Sequence, residues 1–277
     1  MSQNQNRLFV VNKPINISSN GYLSRIKRKY KVKKAGFSGT LDPFACGCLI
    51  VAFGQYPKLF RYLKKAPKRY RATLWLGAVS SSLDIERVEK INPMQEFSLS
   101  KLKDVLNSLK GDITYLPPKF SAKKLGGKKA YELAREGKEL KLKEITSHIY
   151  DIKLTNYSHP FLSFEITISE GGYVRSIGEI ISERLGVDGA LSYLERLYEG
   201  DFFYHDEEAL NPADFLKIPQ NFYLNDKSDI LLGKKLKKSS FKLQEDGEYF
   251  LVIDDNLSVI KIKDDRVSYE LNGVKLC

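Results

Sequence analysis

An aspartate at position 42 lies in a stretch whose composition could support catalysis. Residues 35–54 read AGFSGTLDPFACGCLIVAFG, so Asp42 stands between small residues and a long apolar run. A carboxylate beside apolar surroundings is costly unless a cation pairs with it or a reaction uses it. Three interpretations are open: a turn residue before Pro43, a metal ligand together with Cys46 and Cys48, or a catalytic carboxylate.

The cysteines and histidines give weak support for a metal site. Cys46 and Cys48 form only a C-x-C pair, and the histidines are scattered as His148, His159 and His205. A structural zinc site needs about four ligands in paired spacings. A cysteine nucleophile needs activation by a nearby base, and no histidine precedes position 148 in the chain. We expect no metal site, and we expect both cysteines to pack under a loop.

An excess of basic residues indicates a polyanionic partner. The chain has 45 Lys and Arg against 34 Asp and Glu, a net charge of +11 and a pI of about 9.3. This balance favours nucleic acid or an anionic membrane surface as the partner. A basic run is usually a solvated face, yet two of these runs flank the Asp42 stretch, and phosphate contacts give sequence-independent affinity. The runs lie at 27–34, 58–69, 123–129 and 234–238.

Composition and hydropathy predict a globular cytoplasmic protein. A hydrophobic share of 42% over 277 residues is enough to build a substantial core. The opening residues, MSQNQNRLFV, lack the apolar segment of a secretory signal. The longest apolar run, Leu49–Phe53, is far shorter than the roughly 20 residues of a membrane helix.

Hydrophobic periodicity predicts the elements that must position Asp42. Alternation predicts strands at Leu8–Val11, in KRYRATLWLG (68–77) and in FLSFEITIS (161–169). Helical spacing predicts four helices. The first is capped by Ser18 or Ser19, the second is capped by Ser100 and stopped by Gly111, the third ends at Gly137, and the fourth spans 173–186. Antiparallel-looking strands mixed with helices favour an α+β fold.

A change in composition at 211–226 predicts a domain boundary. This segment is rich in Pro and Asn, and three alternating runs follow it: EYFLVIDD, LSVIKIK and RVSYEL. Residues 1–226 would form the main domain and residues 227–277 a small β-rich appendage. About fifty residues are few for an independent fold, so we expect the appendage to pack on the main body.

Five segments of the chain resemble the TruB family of tRNA pseudouridine synthases. GTLDPFACGCLIVAFG (39–54) is similar to the family's catalytic motif, G-[TA]-L-D-P-x-A-[ST]-G-x-L. FVVNKPINISSNGYLSRIKRKY upstream, and KRYRATLWLG, PPKFSAKKLGGKKAYELAREG and GGYVRSIGEIISERLG downstream, resemble further family segments in the same order. The resemblance covers roughly residues 7–200, and five colinear segments are far more specific than one Asp-Pro pair.

The resemblance implies a pseudouridine-synthase core with a mixed, mainly antiparallel sheet and flanking helices, followed by a PUA-like appendage. It implies isomerisation of uridine to pseudouridine at position 55 in the T-loop of tRNA, after base flipping and without cofactor or metal. The partner would be the tRNA T-stem loop, and the enzyme a monomer without membrane attachment. Asp42 would cleave the glycosidic bond, by attack at the sugar or by abstracting a proton from it.

The resemblance also assigns roles to further side chains. Arg175 would pair with the catalytic aspartate, and Tyr70 would pack on the base and take the C5 proton. Lys13, followed by Pro14, would support the active-site loop. Tyr173 and Leu197 would line the uracil pocket.

The chain departs from the family pattern at a few positions. Phe37 replaces a histidine that contacts the flipped nucleotide or its neighbours in many members; an aromatic ring there can still stack or wedge into the RNA loop. VSSSLDIERV (79–88) lacks the acidic, Gly-containing stretch common in relatives.

Two other functions stay open at this point. One is a non-catalytic tRNA-binding or tRNA-folding protein in which Asp42 is only a turn residue, although binding alone needs no trio of Asp42, Tyr70 and Arg175. The other is a pseudouridine synthase with another RNA target, to which Phe37 and the short appendage could shift specificity.

Overall fold

The computed structural model describes residues 6–119, 124–125, 128–129 and 142–276. In these residues the α-helices are α1 (Ser19–Lys29), α2 (Leu99–Asn107), α3 (Val174–Leu185) and α4 (Ser228–Leu231). The strands of the first half are β1 (Arg7–Lys13), β2 (Ala35–Ser38), β3 (Cys46–Phe53), β4 (Lys68–Leu76), β5 (Ala78–Ser80), β6 (Val88–Ile91) and β7 (Gly111–Tyr115). The later strands are β8 (Lys124–Leu125), β9 (Lys128–Lys129), β10 (Ile145–Ser158), β11 (Phe161–Ile168), β12 (Gly189–Glu199), β13 (Phe202–Phe203), β14 (Gly247–Ile253), β15 (Asn256–Lys263) and β16 (Arg266–Lys275).

One large sheet forms the centre of the fold. Its strand order is β1-β3-β12-β4-β11-β10-β7, with β2 paired to β3 and β13 paired to β12. Neighbouring strands are antiparallel except β12 and β3, which run parallel. The predicted α+β fold with a mixed, mainly antiparallel sheet is confirmed. β12 lies between β3, which follows the Asp42 stretch, and β4, which carries Tyr70.

The residue pattern of β4 explains how the sheet is covered. Alternate residues of β4, including Tyr70 and Leu74, are buried in the main hydrophobic core. The intervening Arg69 and Arg71 project to the other side, where both pair with Glu165 of β11. α2 and α3 contribute apolar residues to the same core. The period of two in the strands and the period of 3.6 in the helices therefore direct their apolar faces to one core.

The helix boundaries agree with the sequence prediction except at α2. Ser18 caps α1 and Ser98 caps α2, and each side chain accepts the backbone N–H three residues further on. The predicted cap Ser100 is wrong, because it lies inside the first turn of α2. α3 ends as predicted at Gly186, which has a left-handed conformation. The helix predicted to end at Gly137 lies outside the described residues. No helix in the described ranges is long and apolar enough to span a membrane.

β14, β15 and β16 form a separate antiparallel sheet, which confirms the predicted β-rich C-terminal unit. This sheet shares a hydrophobic cluster with the main body, in which Phe250 and Leu257 pack with residues such as Leu8 and Tyr62. Gln220 already forms a bridge with Phe250. The chain therefore contacts the C-terminal unit before the predicted boundary after residue 226.

Candidate active site

Residues 39–45 form a loop that presents Asp42, and neighbouring elements hold its backbone. Ser19, at the start of α1, accepts the Leu41 N–H and donates to the Leu41 carbonyl, both at 2.9 Å. Lys13, at the end of β1, donates to the Pro43 carbonyl at 3.4 Å and to two further backbone carbonyls at 2.8 and 2.7 Å. The residues on both sides of Asp42 are therefore fixed, and this orients its carboxylate.

Arg175 links Asp42 to a second, buried aspartate. Its Nη2 lies 3.0 Å from Asp42 Oδ2, while its Nη1 donates to Asp84 Oδ2 at 3.1 Å and to the Ser82 carbonyl at 3.0 Å. Asp84 also accepts the Ser82 hydroxyl at 2.6 Å and the Glu86 N–H at 3.0 Å. Arg175 is the second residue of α3, where the helix dipole disfavours a cation. The two carboxylates offset this cost and hold the guanidinium in place.

The surroundings of Asp42 favour a reactive carboxylate. Burial raises the pKa of its carboxyl above the ordinary 3.8; Arg175 opposes this shift, and the charge of Asp84 adds to it. About a third of the side chain, 32%, is exposed. A carboxylate that a cation keeps ionised, and that is partly withdrawn from water, is a better base and nucleophile than one in solution.

β4 and β12 supply a second group of charges. Tyr70 of β4 is the register partner of Arg196 of β12, and the two side chains interact electrostatically. Arg196 donates to the Gly39 carbonyl at 2.6 Å and to a β3 carbonyl at 2.8 Å. Glu199 is completely buried and pairs with Arg196 at 3.3 Å and with Lys68 at 3.2 Å. This cluster ties β12 to the start of the Asp42 loop.

The two charged groups border one cavity of about 290 Å³. Its walls come from the 39–42 loop, β4, residues 171–175 and β12. Small-molecule sites span about 300–1,000 Å³, so this volume suits a single nucleoside better than a dinucleotide cofactor. The carboxylate of Asp42, paired with Arg175, thus lies beside a space of nucleoside size.

Four of the residues singled out from sequence meet around this cavity: Asp42, Tyr70, Tyr173 and Arg175. Tyr173 stands just before α3, and its backbone N–H donates to the Tyr115 hydroxyl at 2.9 Å. The Gly-Gly turn before it forms part of the wall. Residues separated by more than 100 positions are therefore neighbours in one site.

Three other expected site residues lie outside the cavity walls. Lys13 is buried under the loop, where burial lowers its pKa to about 8, and it supports the backbone. Phe37 is half-buried in β2 and packs on the apolar cluster beneath α1. Leu197 falls at a β-bulge in the pairing of β12 with β4. Leu194 of the same strand lines the cavity.

Sequence reasoning missed Asp84, Arg196 and Lys68. Asp84 lies in the segment that departs from the family pattern. One sequence signal could have indicated it, because an aspartate often caps a following helical turn, as Asp84 does here. Lys68 was grouped with a basic run, although its spacing of two from Tyr70 places both on one face of a strand. Arg196 carried no local signal, because bulges break the alternation of β12.

A basic groove lies at the far end of α1. It is lined by Lys27, Arg28, Lys31 and Lys33, with Ser24 and Val32, and we call it the α1 groove. In the part of the chain that the structure describes, the four cations have no acidic partner within 4 Å. α1 is about 16 Å long, and its first residue contacts the Asp42 loop. The α1 groove therefore lies about one helix length from the Asp42 loop.

The C-terminal basic run is partly neutralised. Lys234 pairs with Asp229 at 2.8 Å, and Lys238 lies 3.7 Å from Asp246. The run at 123–129 falls in a region whose side chains lie outside the described residues. Between the runs at 27–34 and 234–238, the α1 groove is therefore the stronger candidate for phosphate contacts.

The cysteines pack without metal-ligand geometry in the described part of the chain. Cys48 is buried in β3, and the Cys46 thiol contacts the Tyr193 hydroxyl at 3.6 Å. Among the described residues, no three His, Cys, Asp or Glu side chains cluster as metal ligands.

Comparisons with known proteins agree on one family. Residues 27–174 match the TruB family pseudouridylate synthase (N terminal domain). A tRNA pseudouridine synthase B of Sulfurovum sp. (strain NBC37-1) is 57% identical over 97% of each chain. One of Campylobacter jejuni (strain RM1221) is 47% identical over 98% of this chain and 100% of the relative. The crystal structure of a Cbf5-Nop10-Gar1 complex aligns with a TM-score of 0.69 at 17% identity, covering 98% of this chain and 85% of that chain, which shows a shared fold.

Proposed function

The chain belongs to the TruB family of pseudouridylate synthases, and from this premise we propose that it isomerises uridine to pseudouridine at position 55 in the T-loop of tRNA. The name of the relatives supports tRNA as the substrate, and the motif resemblance implies the T-loop uridine. One observation carries the proposal: Asp42 is paired with Arg175 at the wall of a cavity of nucleoside size.

The cavity can receive a uridine only after its base has left the stack. Tyr70, Tyr173 and Leu194 offer aromatic and apolar surface for the flipped base. The α1 groove offers cations for phosphates of the same RNA, and such contacts give affinity without sequence recognition. The binding energy of the stem can thus offset the cost of unstacking one base.

In the proposed reaction Asp42 breaks the bond between C1′ and N1. Its carboxylate either attacks C1′ or takes a proton from the sugar, and Arg175 keeps it ionised and aimed. The freed uracil turns inside the cavity and bonds to C1′ through C5, which displaces Asp42 from C1′ if it attacked there, or is followed by return of the proton to the sugar if it acted as a base. A base then takes the C5 proton while N1 gains one, and Tyr70, beside Arg196, is suited to take the C5 proton. Substrate and product are isomers, so the rearrangement consumes no oxidant or reductant.

The test is to incubate the protein with an unmodified tRNA transcript and to map pseudouridine by chemical probing. We expect modification at position 55 by the wild type and none by Asp42→Asn, because the amide keeps the shape but is neither a nucleophile nor a base. tRNA binding should persist in this variant. Asp188→Asn, at an exposed aspartate that accepts from Asn92, is the matched control. Normal turnover by Asp42→Asn would contradict the role of this aspartate.

The two alternative functions give different results in the same experiment. A non-catalytic tRNA-binding protein would bind the transcript but leave every uridine unchanged. A synthase with another target would leave position 55 unmodified and act on a different tRNA position or on another RNA.

A further inference from the structure

Lys68 is a buried lysine at the wall of the active-site cavity. Only 9% of the residue is exposed, and it opens β4, two residues before Tyr70 on the same face of the strand. Lysines usually keep their ammonium group in water. A buried lysine beside a cavity therefore calls for a partner or a ligand.

Glu199 pairs with Lys68 by charge alone, because neither Glu199 oxygen accepts a hydrogen bond from the described residues. The Lys68 Nζ lies 3.2 Å from Glu199 Oε1, and within the described residues this is the one carboxylate at ion-pair distance. An ammonium group has three N–H donors. Arg196 is more fully committed, because it donates to two backbone carbonyls and pairs with the same Glu199. Lys68 is thus the cation with donors left for a molecule in the cavity.

Two charged groups of opposite balance meet at the cavity. In one, two carboxylates, Asp42 and Asp84, share the cation Arg175, and Asp42 and Arg175 line the wall. In the other, two cations, Lys68 and Arg196, share the single carboxylate Glu199, and both cations line the wall. In so small a space, the base of a nucleoside whose sugar meets Asp42 comes within reach of this positive group.

The reaction of the proposed function creates a negative charge where this cation can act. Rupture of the bond between C1′ and N1 leaves both electrons on the uracil, whether Asp42 attacks C1′ or takes a sugar proton. The charge spreads over N1 and the carbonyl oxygens until C5 bonds to C1′ and the C5 proton passes to a base. We propose that Lys68 is a further catalytic residue, whose ammonium donates a hydrogen bond to this uracil anion and speeds its departure. Lys68 keeps its proton throughout.

The proposal rests on the proposed function, and a change of leaving group separates the two. Single-turnover rates are measured for wild type and Lys68→Met on tRNA carrying uridine or 5-fluorouridine at the target position. The readout is disappearance of the starting nucleoside, because fluorine blocks the later loss of a C5 proton. Fluorine withdraws electrons, so the fluorouracil anion needs less stabilisation from the protein.

We expect Lys68→Met to slow uridine turnover on the order of 100-fold, the effect of removing one donor from an anion-binding site, with unchanged affinity for tRNA. On 5-fluorouridine the same substitution should slow turnover by only about tenfold, because the fluorouracil anion depends less on the hydrogen bond from Lys68. Lys68→Arg, which keeps the cation, should recover part of the rate. Lys110→Met is the matched control, since Lys110 pairs with Asp151, lies outside the cavity wall and belongs to none of the basic runs.

If Lys68→Met lowers the rates on uridine and 5-fluorouridine by the same factor, Lys68 has only a structural role and the proposal is overturned. Weaker tRNA binding with an unchanged rate would overturn it too, because the cation would then contact a phosphate in the ground state. If Lys68→Met does not fold, Lys68→Met combined with Glu199→Gln removes both charges of the pair and takes the same test. A wild type that leaves uridine unchanged would instead refute the proposed function.

Discussion

Replacing Asp84 by Asn tests whether the second aspartate positions Arg175 for the reaction. The Asp84 side chain is 2% exposed, and an Asn of the same size can still accept the Glu86 N–H. Arg175 then loses one charge-assisted hydrogen bond, worth about 1.5–3 kcal/mol. If that stabilisation acts entirely by holding Arg175 against Asp42, kcat falls about 10- to 150-fold.

The same substitution should move the pH dependence of the rate. Asp42 acts in its ionised form, so activity is lost as the pH falls through the pKa of this carboxyl, which lies above 3.8. After burial itself, the charge of Asp84 is the group that raises this pKa, against the opposing effect of Arg175. With Arg175 still paired to Asp42, loss of the Asp84 charge lowers the pKa of Asp42, and the acid limb of the profile moves to lower pH.

The assay is single-turnover pseudouridine formation on tRNA from about pH 4 to about pH 8, with tRNA affinity measured separately. Asp151→Asn is the control, because Asp151 forms an exposed pair with Lys110 and neither residue lines the cavity. An unchanged rate with an unchanged acid limb would refute the positioning role of Asp84. So would a decrease confined to tRNA affinity, because Asp84 lies beneath the site and not on its surface.

Three further predictions concern the parts that hold the site and the RNA. Gly39→Ala should reduce activity far more than Gly186→Ala, although both glycines have positive φ. A Cβ at Gly39 would lie 2.5 Å from Glu199 Oε2, whereas a Cβ at Gly186 would meet nothing within 4 Å. Equal decreases of activity in the tRNA assay would contradict this clash. Lys13→Met should lower the unfolding free energy near neutral pH by about 1–3 kcal/mol, since buried carbonyls lose their donor. In denaturant titrations the wild type, but not this variant, should gain stability as the pH rises from about 8 to 10.5, because the folded pKa lies below the unfolded value. Alanine at the four cations of the α1 groove should make the slope of log affinity against log salt concentration shallower, by about 0.7–0.9 for each phosphate that the protein no longer neutralises. Lys103→Ala, at an exposed lysine of α2, should leave this slope unchanged.

Local sequence patterns were sufficient to predict the elements that carry the site. The alternation in KRYRATLWLG predicted β4, and apolar residues at helical spacing before Gly186 predicted α3. Both periods follow from the geometry of a single element, so neighbouring residues alone encode them. The family motif added Asp42, Tyr70, Tyr173 and Arg175, and the structure brings these four together around one cavity.

Only the tertiary structure revealed the charges that surround them. Asp84 contacts Arg175 across 91 positions, and Arg196 contacts Gly39 across 157. Lys68 stands in a basic run that resembles a solvated face, yet it is buried beside the cavity. Whether a charged side chain is solvated or buried depends on which faces pack together, and pairs of distant residues decide that packing. The sequence therefore determined the strands, the helices and the candidate aspartate, while the fold decided which cations and carboxylates surround it, because ionic partners are selected by proximity in space.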